Sequence, residues 1–297
     1  MTLNRREFLA AGAAAASGFV AAGLAEGGEA PAGRRQAVLR LSAQEGFVPG
    51  KSLEEKLAKL EKWGIEGLEP GGGIVGNEKH YLDALRNTKV KISAICWGSG
   101  GGALVSEDPA RRGPAAEELK RVLSSAGELR STGVIYVPAF NGQTKLSNQE
   151  IRKVLTDTLP ALGEHALKAG TRLLLEPLNR GEAFFLRQVA DAASIARDCK
   201  SEGVCVMGDF YHMYIEETSD MGAFISGGKW LHHVHLASRT RVLPGQDDRS
   251  FVDGFRGLKY IGYQDFCSFE CGCRGDKEVE IPKAIAFLKK EWEQAKL

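Results

Sequence analysis

Glu164-His165-Ala166-Leu167-Lys168-Ala169-Gly170-Thr171-Arg172-Leu173-Leu174-Leu175-Glu176 carries the unit from which the rest of the chain is built. A helical pattern over 148–168 stops just short of Gly170, the residue type best suited to a left-handed helix C-cap. The apolar run 172–176 that follows is too short for a helix, reads as a buried strand, and closes on a carboxylate. The same form recurs in both directions. Strands are predicted at 37–42, 65–69, 90–97, 134–140, 204–209, 231–235 and 266–270. Helical segments fall at 114–130, 186–200 and 281–295. Another opens on the capping pattern Ser52-Leu53-Glu54-Glu55 and sets Leu53, Leu57, Leu60 and Trp63 roughly on one face. The link after Asp209 is the least regular, with a short helix expected around 221–225. Gly64, Gly133 and Gly203 precede strands as Gly170 does, and C-caps are expected there too. Eight strand–helix units in about 260 residues match an α/β fold of the (β/α)8 TIM barrel type. An open doubly wound sheet would carry G-x-G-x-x-G after its first strand; Gly71-Gly72-Gly73 lacks that spacing.

The 297 residues are 43% hydrophobic and 26% charged, with 39 Lys+Arg against 38 Asp+Glu. This balance offers no electrostatic footprint for nucleic acid or an anionic membrane. Residues 1–25 stand apart. Arg5-Arg6 followed by Glu7-Phe8-Leu9 resembles a twin-arginine export signal, and an Ala-rich stretch over 10–25 follows it. Roughly 16 mildly apolar residues fall short of the ~20 that a spanning helix needs, so a cleaved signal peptide is preferred to an uncleaved anchor. Cleavage fits after Ala25 or as late as Ala32. The first cut removes two Arg and one Glu and leaves 272 residues with 37 basic and 37 acidic side chains. The expectation is a periplasmic protein, passed to the twin-arginine machinery, with no membrane span after processing and a single barrel domain over 36–297. Such substrates are usually exported folded, often around a metal or cofactor.

In a barrel of this type the chemistry gathers where the strands end and the βα loops begin. The fifth to eighth strands end in Glu176, Asp209, His235 and Glu270, at intervals of 33, 26 and 35 residues, about one βα unit each. A strand-end carboxylate can serve simply to cap the next helix. Four polar ends in consecutive units are harder to dismiss. Three carboxylates held together without a cation would repel, and at least one would protonate. A single divalent metal resolves the conflict, and three oxygen donors with one nitrogen suit Mn²⁺ first, with Mg²⁺, Co²⁺ or Zn²⁺ as alternatives.

The motifs around these residues resemble the xylose isomerase-like TIM-barrel superfamily, in particular its sugar isomerase/epimerase branch of the D-tagatose 3-epimerase type. They are Glu176-Pro177-Leu178-Asn179-Arg180-Gly181-Glu182, Asp209-Phe210-Tyr211-His212-Met213, His235-Leu236-Ala237-Ser238-Arg239-Thr240-Arg241 with Pro244-Gly245, and Phe269-Glu270. The resemblance is specific over the second half of the barrel and rests on βα rhythm alone in the first. It implies that Glu176, Asp209, His235 and Glu270 ligate the metal and that Glu176 and Glu270 form the acid/base pair. It implies a ketose or related sugar as substrate and an enediolate stabilised by the metal, with one glutamate removing a proton and the other returning it to the opposite face. Glu182, His212 and Arg241 are the implied substrate-binding residues; orientation of neighbours or a salt bridge is their plainer reading. Related barrels often form homodimers.

Other residues stay open. Gln44, Glu69 and Trp97 end the first three strands at the same rim and either line the site or pack beside it. His233 shares a face with His235 by alternation and is assigned to packing or support rather than to a second metal. His80 and His165 lie on helices and are expected in solvent. Cys271-Gly272-Cys273 reads as ordinary thiols rather than a strained disulfide. The alternative activity is a metal-dependent lyase or dehydratase acting on an inosose or 3-keto sugar, in which a leaving group departs from the same enediolate. A remote one is an endonuclease IV-like DNA repair nuclease. That family needs further His ligands after the second and third strands, where this chain has Glu69 and Cys96-Trp97.

Overall fold

A computed structural model describes residues 35–297; the expected signal peptide lies outside the described residues. Strands and helices alternate in the order β1 (Arg40–Gln44), α1 (Leu53–Trp63), β2 (Gly67–Glu69), α2 (Glu78–Leu85), β3 (Lys91–Ile92), β4 (Ile95–Gly98), α3 (Pro109–Glu128), β5 (Val134–Tyr136), α4 (Asn148–Ala169) and β6 (Leu173–Leu175). The second half runs α5 (Val189–Cys199), β7 (Val204–Asp209), α6 (Phe210–Glu216), α7 (Asp220–Gly227), β8 (Leu231–Leu236), α8 (Val252–Ile261), β9 (Phe266–Phe269) and α9 (Lys277–Gln294). Every strand pair is parallel, in the order β3-β2-β1-β9-β8-β7-β6-β5-β4.

The third predicted strand is therefore two pieces, and the break closes the barrel. β3 pairs with β2 and β4 pairs with β5. At the junction Ser93 donates its N–H to Leu68 O on one side and accepts from Thr132 N on the other. The strand hands its hydrogen bonds from one neighbour to the next, so nine ladder segments fill the eight strand positions of a TIM barrel.

Local sequence explains most of the boundaries. Ser52 Oγ accepts from Glu55 N at the start of α1, and Gly64 ends it at φ 71°. Ser147 and Glu150 form a reciprocal capping box on α4, which Gly170 ends at φ 84°. Gly133 and Gly203 are not C-caps, contrary to expectation; α3 is capped by Leu129 and turns off at left-handed Arg130 (φ 55°), and α5 is capped by left-handed Lys200 (φ 51°). Close approach is what selects those two glycines. A Cβ on Gly203 would lie 2.0 Å from Gly163 O, and one on Gly133 would lie 2.5 Å from the Leu174 side chain. The link after Asp209 holds two helices, α6 and α7, rather than one.

Alternation along the strands decides what faces the barrel axis. Ala94, Ile135, Leu174, Cys205 and Met207 pack together as an apolar interior cluster, separate from the larger core between strands and helices. Two residues on from Leu174 comes Glu176, and two on from Met207 comes Asp209. The apolar plug therefore ends where the predicted ligands begin. No described helix is long and apolar enough to cross a membrane.

Candidate active site

Asp209 shows how the fold aims a side chain. It ends β7 and is also the N-cap of α6, with Oδ1 accepting from Tyr211 N at 2.7 Å. That bond fixes the carboxylate and leaves Oδ2 buried, without a hydrogen-bond partner among the described residues, 3.9 Å from His235 Nδ1. His235 ends β8 fully buried, and its Nδ1 also faces Glu270 Oε2 at 3.1 Å and Glu176 Oε1 at 3.5 Å. One ligand atom from each of Glu176, Asp209, His235 and Glu270 lies within 4.8 Å of every other. The four predicted ligands thus converge on one point. The unsatisfied Asp209 Oδ2 and His235 Nδ1 both point there, an arrangement that fits a divalent cation with three oxygen donors and one nitrogen.

Without a cation the charge conflict is resolved by protons. Burial, then the neighbouring Glu270, pushes Asp209 well above the usual carboxylate range, and burial raises Glu176. Burial alone would lower His235, but the charges of Glu69 and Glu270 outweigh it and hold the imidazole well above 6.5. Burial would raise Glu270, yet the adjacent His235 charge brings it down to about 2. Cation binding has to displace the protons that this cluster retains.

The three predicted substrate-binding residues lie beside the cluster. Arg241 donates from Nη1 to Glu182 Oε1 at 2.9 Å and from Nη2 to Glu270 Oε2 at 3.1 Å. Its backbone is left-handed, φ 55°, and is pinned by Arg241 N donating to Ser238 O and Gly272 N donating to Arg241 O. Holding a non-glycine residue there stores strain that the loop contacts sustain, as is common at functional sites. His212 is buried with Nε2 3.5 Å from Asp209 Oδ2. Burial, then the Arg241 charge, pushes it down to about 3, which keeps the ring neutral.

Beneath this ring of residues lies support that the sequence left open. Glu69 is 1% exposed and accepts from His233 Nε2 at 2.8 Å and His235 Nε2 at 3.1 Å. Gln44 Nε2 donates to Glu69 Oε1 at 3.0 Å and Glu270 Oε1 at 2.8 Å, tying the floor to the cluster. Glu69 thus fixes which nitrogen of His235 faces the carboxylates. Trp97 instead packs toward Tyr136, ring centroids 5.9 Å apart. His165 is not solvated as expected but half-buried against Ser124 Oγ and Lys120 O. All six cysteines are free thiols.

The resemblance read from the motifs extends over most of the chain. The 3-dehydro-D-guloside 4-epimerase of Escherichia coli (strain K12) is 29% identical over 258 residues, covering 82% of this chain and 97% of that one. The L-ribulose 3-epimerase of Mesorhizobium japonicum is 27% identical over 250 residues, covering 81% and 82%. Among solved structures, the apo form of the E. coli 3-keto-D-glucoside 4-epimerase superposes with a TM-score of 0.76 at 26% identity, over 85% of this chain and all of that one. The family model described as xylose isomerase-like TIM barrel matches residues 57–291. With that match spanning most of the chain and the barrel closed as described, the chain belongs to the xylose isomerase-like TIM barrel family.

Proposed function

We propose that this sugar isomerase/epimerase inverts the carbon next to the ketone of an unphosphorylated keto sugar, using Glu176 and Glu270 as its acid/base pair. The observation that carries the proposal is where the two glutamates stand. They arrive from β6 and β9, with β7 and β8 between them, yet their oxygens lie within 4.8 Å at one point. Two carboxyl groups that reach a substrate from different sides of the mouth can address opposite faces of one carbon. One removes the proton, the other returns a proton from the far side, and the centre inverts. Both relatives' names describe this chemistry: position 3 of a ketose and position 4 of a 3-keto glycoside each adjoin the ketone. A divalent cation held by Glu176, Asp209, His235 and Glu270 supplies Lewis-acid stabilisation of the negative charge that develops on the substrate oxygens; the oxygen-rich donor set favours Mn²⁺. Arg241 binds a substrate oxygen and keeps Glu270 oriented, while Glu182 and His212 hold further oxygens. The arginines of the β6 and β8 loops support a substrate without phosphate: Arg180 and Arg187 are engaged by Glu216, Arg239 by Asp248, Arg249 by Asp220, and Arg241 by Glu182 and Glu270.

The test is exchange of the substrate proton with solvent in D₂O, offering metal-loaded enzyme a panel of ketoses and 3-keto glycosides. Glu176→Gln and Glu270→Gln each abolish deuterium uptake, with metal content measured alongside. Exchange that survives in both variants refutes the two-glutamate mechanism, and net loss of water or of the aglycone makes the enzyme a lyase. The twin-arginine motif supports export to the periplasm, which Arg5→Lys together with Arg6→Lys would block in a fractionation experiment. A homodimer, as in related barrels, is checked by light scattering.

A further inference from the structure

We infer that Asn179 is a positioning residue that locks His212 in the Nε2–H tautomer, making it an obligate hydrogen-bond donor to the substrate. The inference starts from an amide whose orientation is decided by its neighbours. Gly181 N–H can only donate, and it meets Asn179 Oδ1 at 2.8 Å. The Glu182 carboxylate, already paired with Arg241, accepts from Asn179 Nδ2 at 3.0 Å. The NH₂ group therefore also faces His212 Nδ1, 2.8 Å away. The backbone N–H of Asn179 points at the same nitrogen at 3.1 Å. Two donors converge on Nδ1, so that atom carries the lone pair.

The consequence falls on the other nitrogen. A ring with its lone pair at Nδ1 carries its proton at Nε2, and this atom is buried, has no hydrogen-bond partner among the described residues and lies 3.5 Å from Asp209 Oδ2 at the edge of the cluster. A donor preset there recognises an oxygen that gains negative charge in the reaction, and it does so without reorganising when the charge develops. Asn179 spends its two side-chain hydrogens on two proposed substrate-binding residues, Glu182 and His212, and so couples their positions. Asn179 itself, 5% exposed, touches no reacting atom in this scheme. The assignment of the tautomer is independent of the proposed function; its catalytic consequence rests on that reading.

The test is the ¹⁵N shift pattern of the His212 ring in the folded, substrate-free protein, assigned by comparison with His212→Gln, together with steady-state kinetics. Wild type shows an unprotonated Nδ1 and a protonated Nε2. Asn179→Asp keeps the shape but sets an acceptor oxygen against Nδ1, so Nδ1 becomes protonated and kcat falls about 10–100-fold, more than KM rises. Asn179→Ala retains the backbone donor, so the wild-type ring pattern persists and the loss is milder. A protonated Nδ1 in wild type, or Asn179→Asp with the wild-type pattern or near-wild-type kcat, overturns the inference; a reversed pattern in Asn179→Ala assigns the lock to the side chain alone and supports it. Should Asn179→Asp not fold, the wild-type spectrum still decides it. Absence of proton exchange by wild type on any keto sugar counts against the proposed function and leaves the tautomer result standing.

Discussion

Replacing Glu69 by Gln removes one charge from beneath the cluster and almost nothing else. Three N–H donors converge on the two carboxylate oxygens: His233 Nε2 at 2.8 Å, His235 Nε2 at 3.1 Å and Gln44 Nε2 at 3.0 Å. An amide keeps one oxygen and presents NH₂ in place of the other. With its oxygen toward His235 and Gln44, its NH₂ faces His233 and gives up only the longer, 3.2 Å contact with His235 Nε2. The Nδ1 of that ring is buried and unpartnered, so the ring can move its proton there and accept instead. The barrel survives, and what disappears is the negative charge behind His235. A hydrogen bond to a charged group contributes about 1.5–3 kcal/mol. Outer partners of metal ligands typically change affinity by about 10–100-fold, the same scale, since 1.4 kcal/mol is about tenfold. We therefore expect the Kd for Mn²⁺, measured by titration calorimetry at mildly alkaline pH, to rise about 10–100-fold in Glu69→Gln. The pH dependence adds a second check. Glu69 also helps to hold His235 well above 6.5, and the cation has to displace that proton. The deficit is thus largest at alkaline pH and shrinks as pH falls, because wild type loses more to proton competition. A folded variant with wild-type affinity at alkaline pH, or with a deficit that widens on acidification, would refute the reasoning.

Three further outcomes follow from the same geometry. Chelation lowers the melting temperature, since a cation at a hundredfold excess over its Kd contributes about 2.7 kcal/mol, and titrating a divalent cation such as Mn²⁺ into the chelated protein releases protons in buffer-dependent calorimetry; no proton release counts against the protonated cluster. Burial and Arg241 hold His212 at about 3 in the fold against 6.5 unfolded, so its share of the stability is complete above 6.5 and is lost as pH falls toward 3. His212→Gln should flatten that part of the stability profile of the metal-free protein, and an unchanged slope contradicts it. Gly203→Ala forces a Cβ to within 2.0 Å of a backbone oxygen and should cost at least about 1–3 kcal/mol in denaturant titrations, while Mn²⁺ affinity, set at the other end of β7, stays put.

The second half of the barrel was legible because each of its predicted ligands closes a short apolar run. Alternation alone sets Glu176 on the face of Leu174 and Asp209 on the face of Met207, and the βα spacing brings successive strand ends to one rim. Boundaries were legible where a cap uses neighbouring residues, as at Ser52 and Ser147. They were not where a glycine answers to a distant backbone, as Gly203 answers to Gly163. The split third strand belongs to the same class, because the interruption exists only once β2 and β5 flank it.

Glu69 marks where local reading ends. A carboxylate closing β2 is as good a cap as a ligand, and the choice is made by a strand that is not its neighbour. β1 and β9 stand between β2 and β8, and the bonds to His233 and His235 span 164 and 166 residues of sequence. They run across the barrel, between residues that only closure brings face to face. Once the barrel closes, the chemistry demands a partner. His235 has two nitrogens, and the one aimed at three carboxylates can offer a lone pair only if the other keeps its proton. A buried acceptor is needed behind it, and Glu69 is the acceptor in reach. The ligand read from sequence therefore implies a supporting carboxylate that sequence could not name, and the fold makes Glu69 that residue.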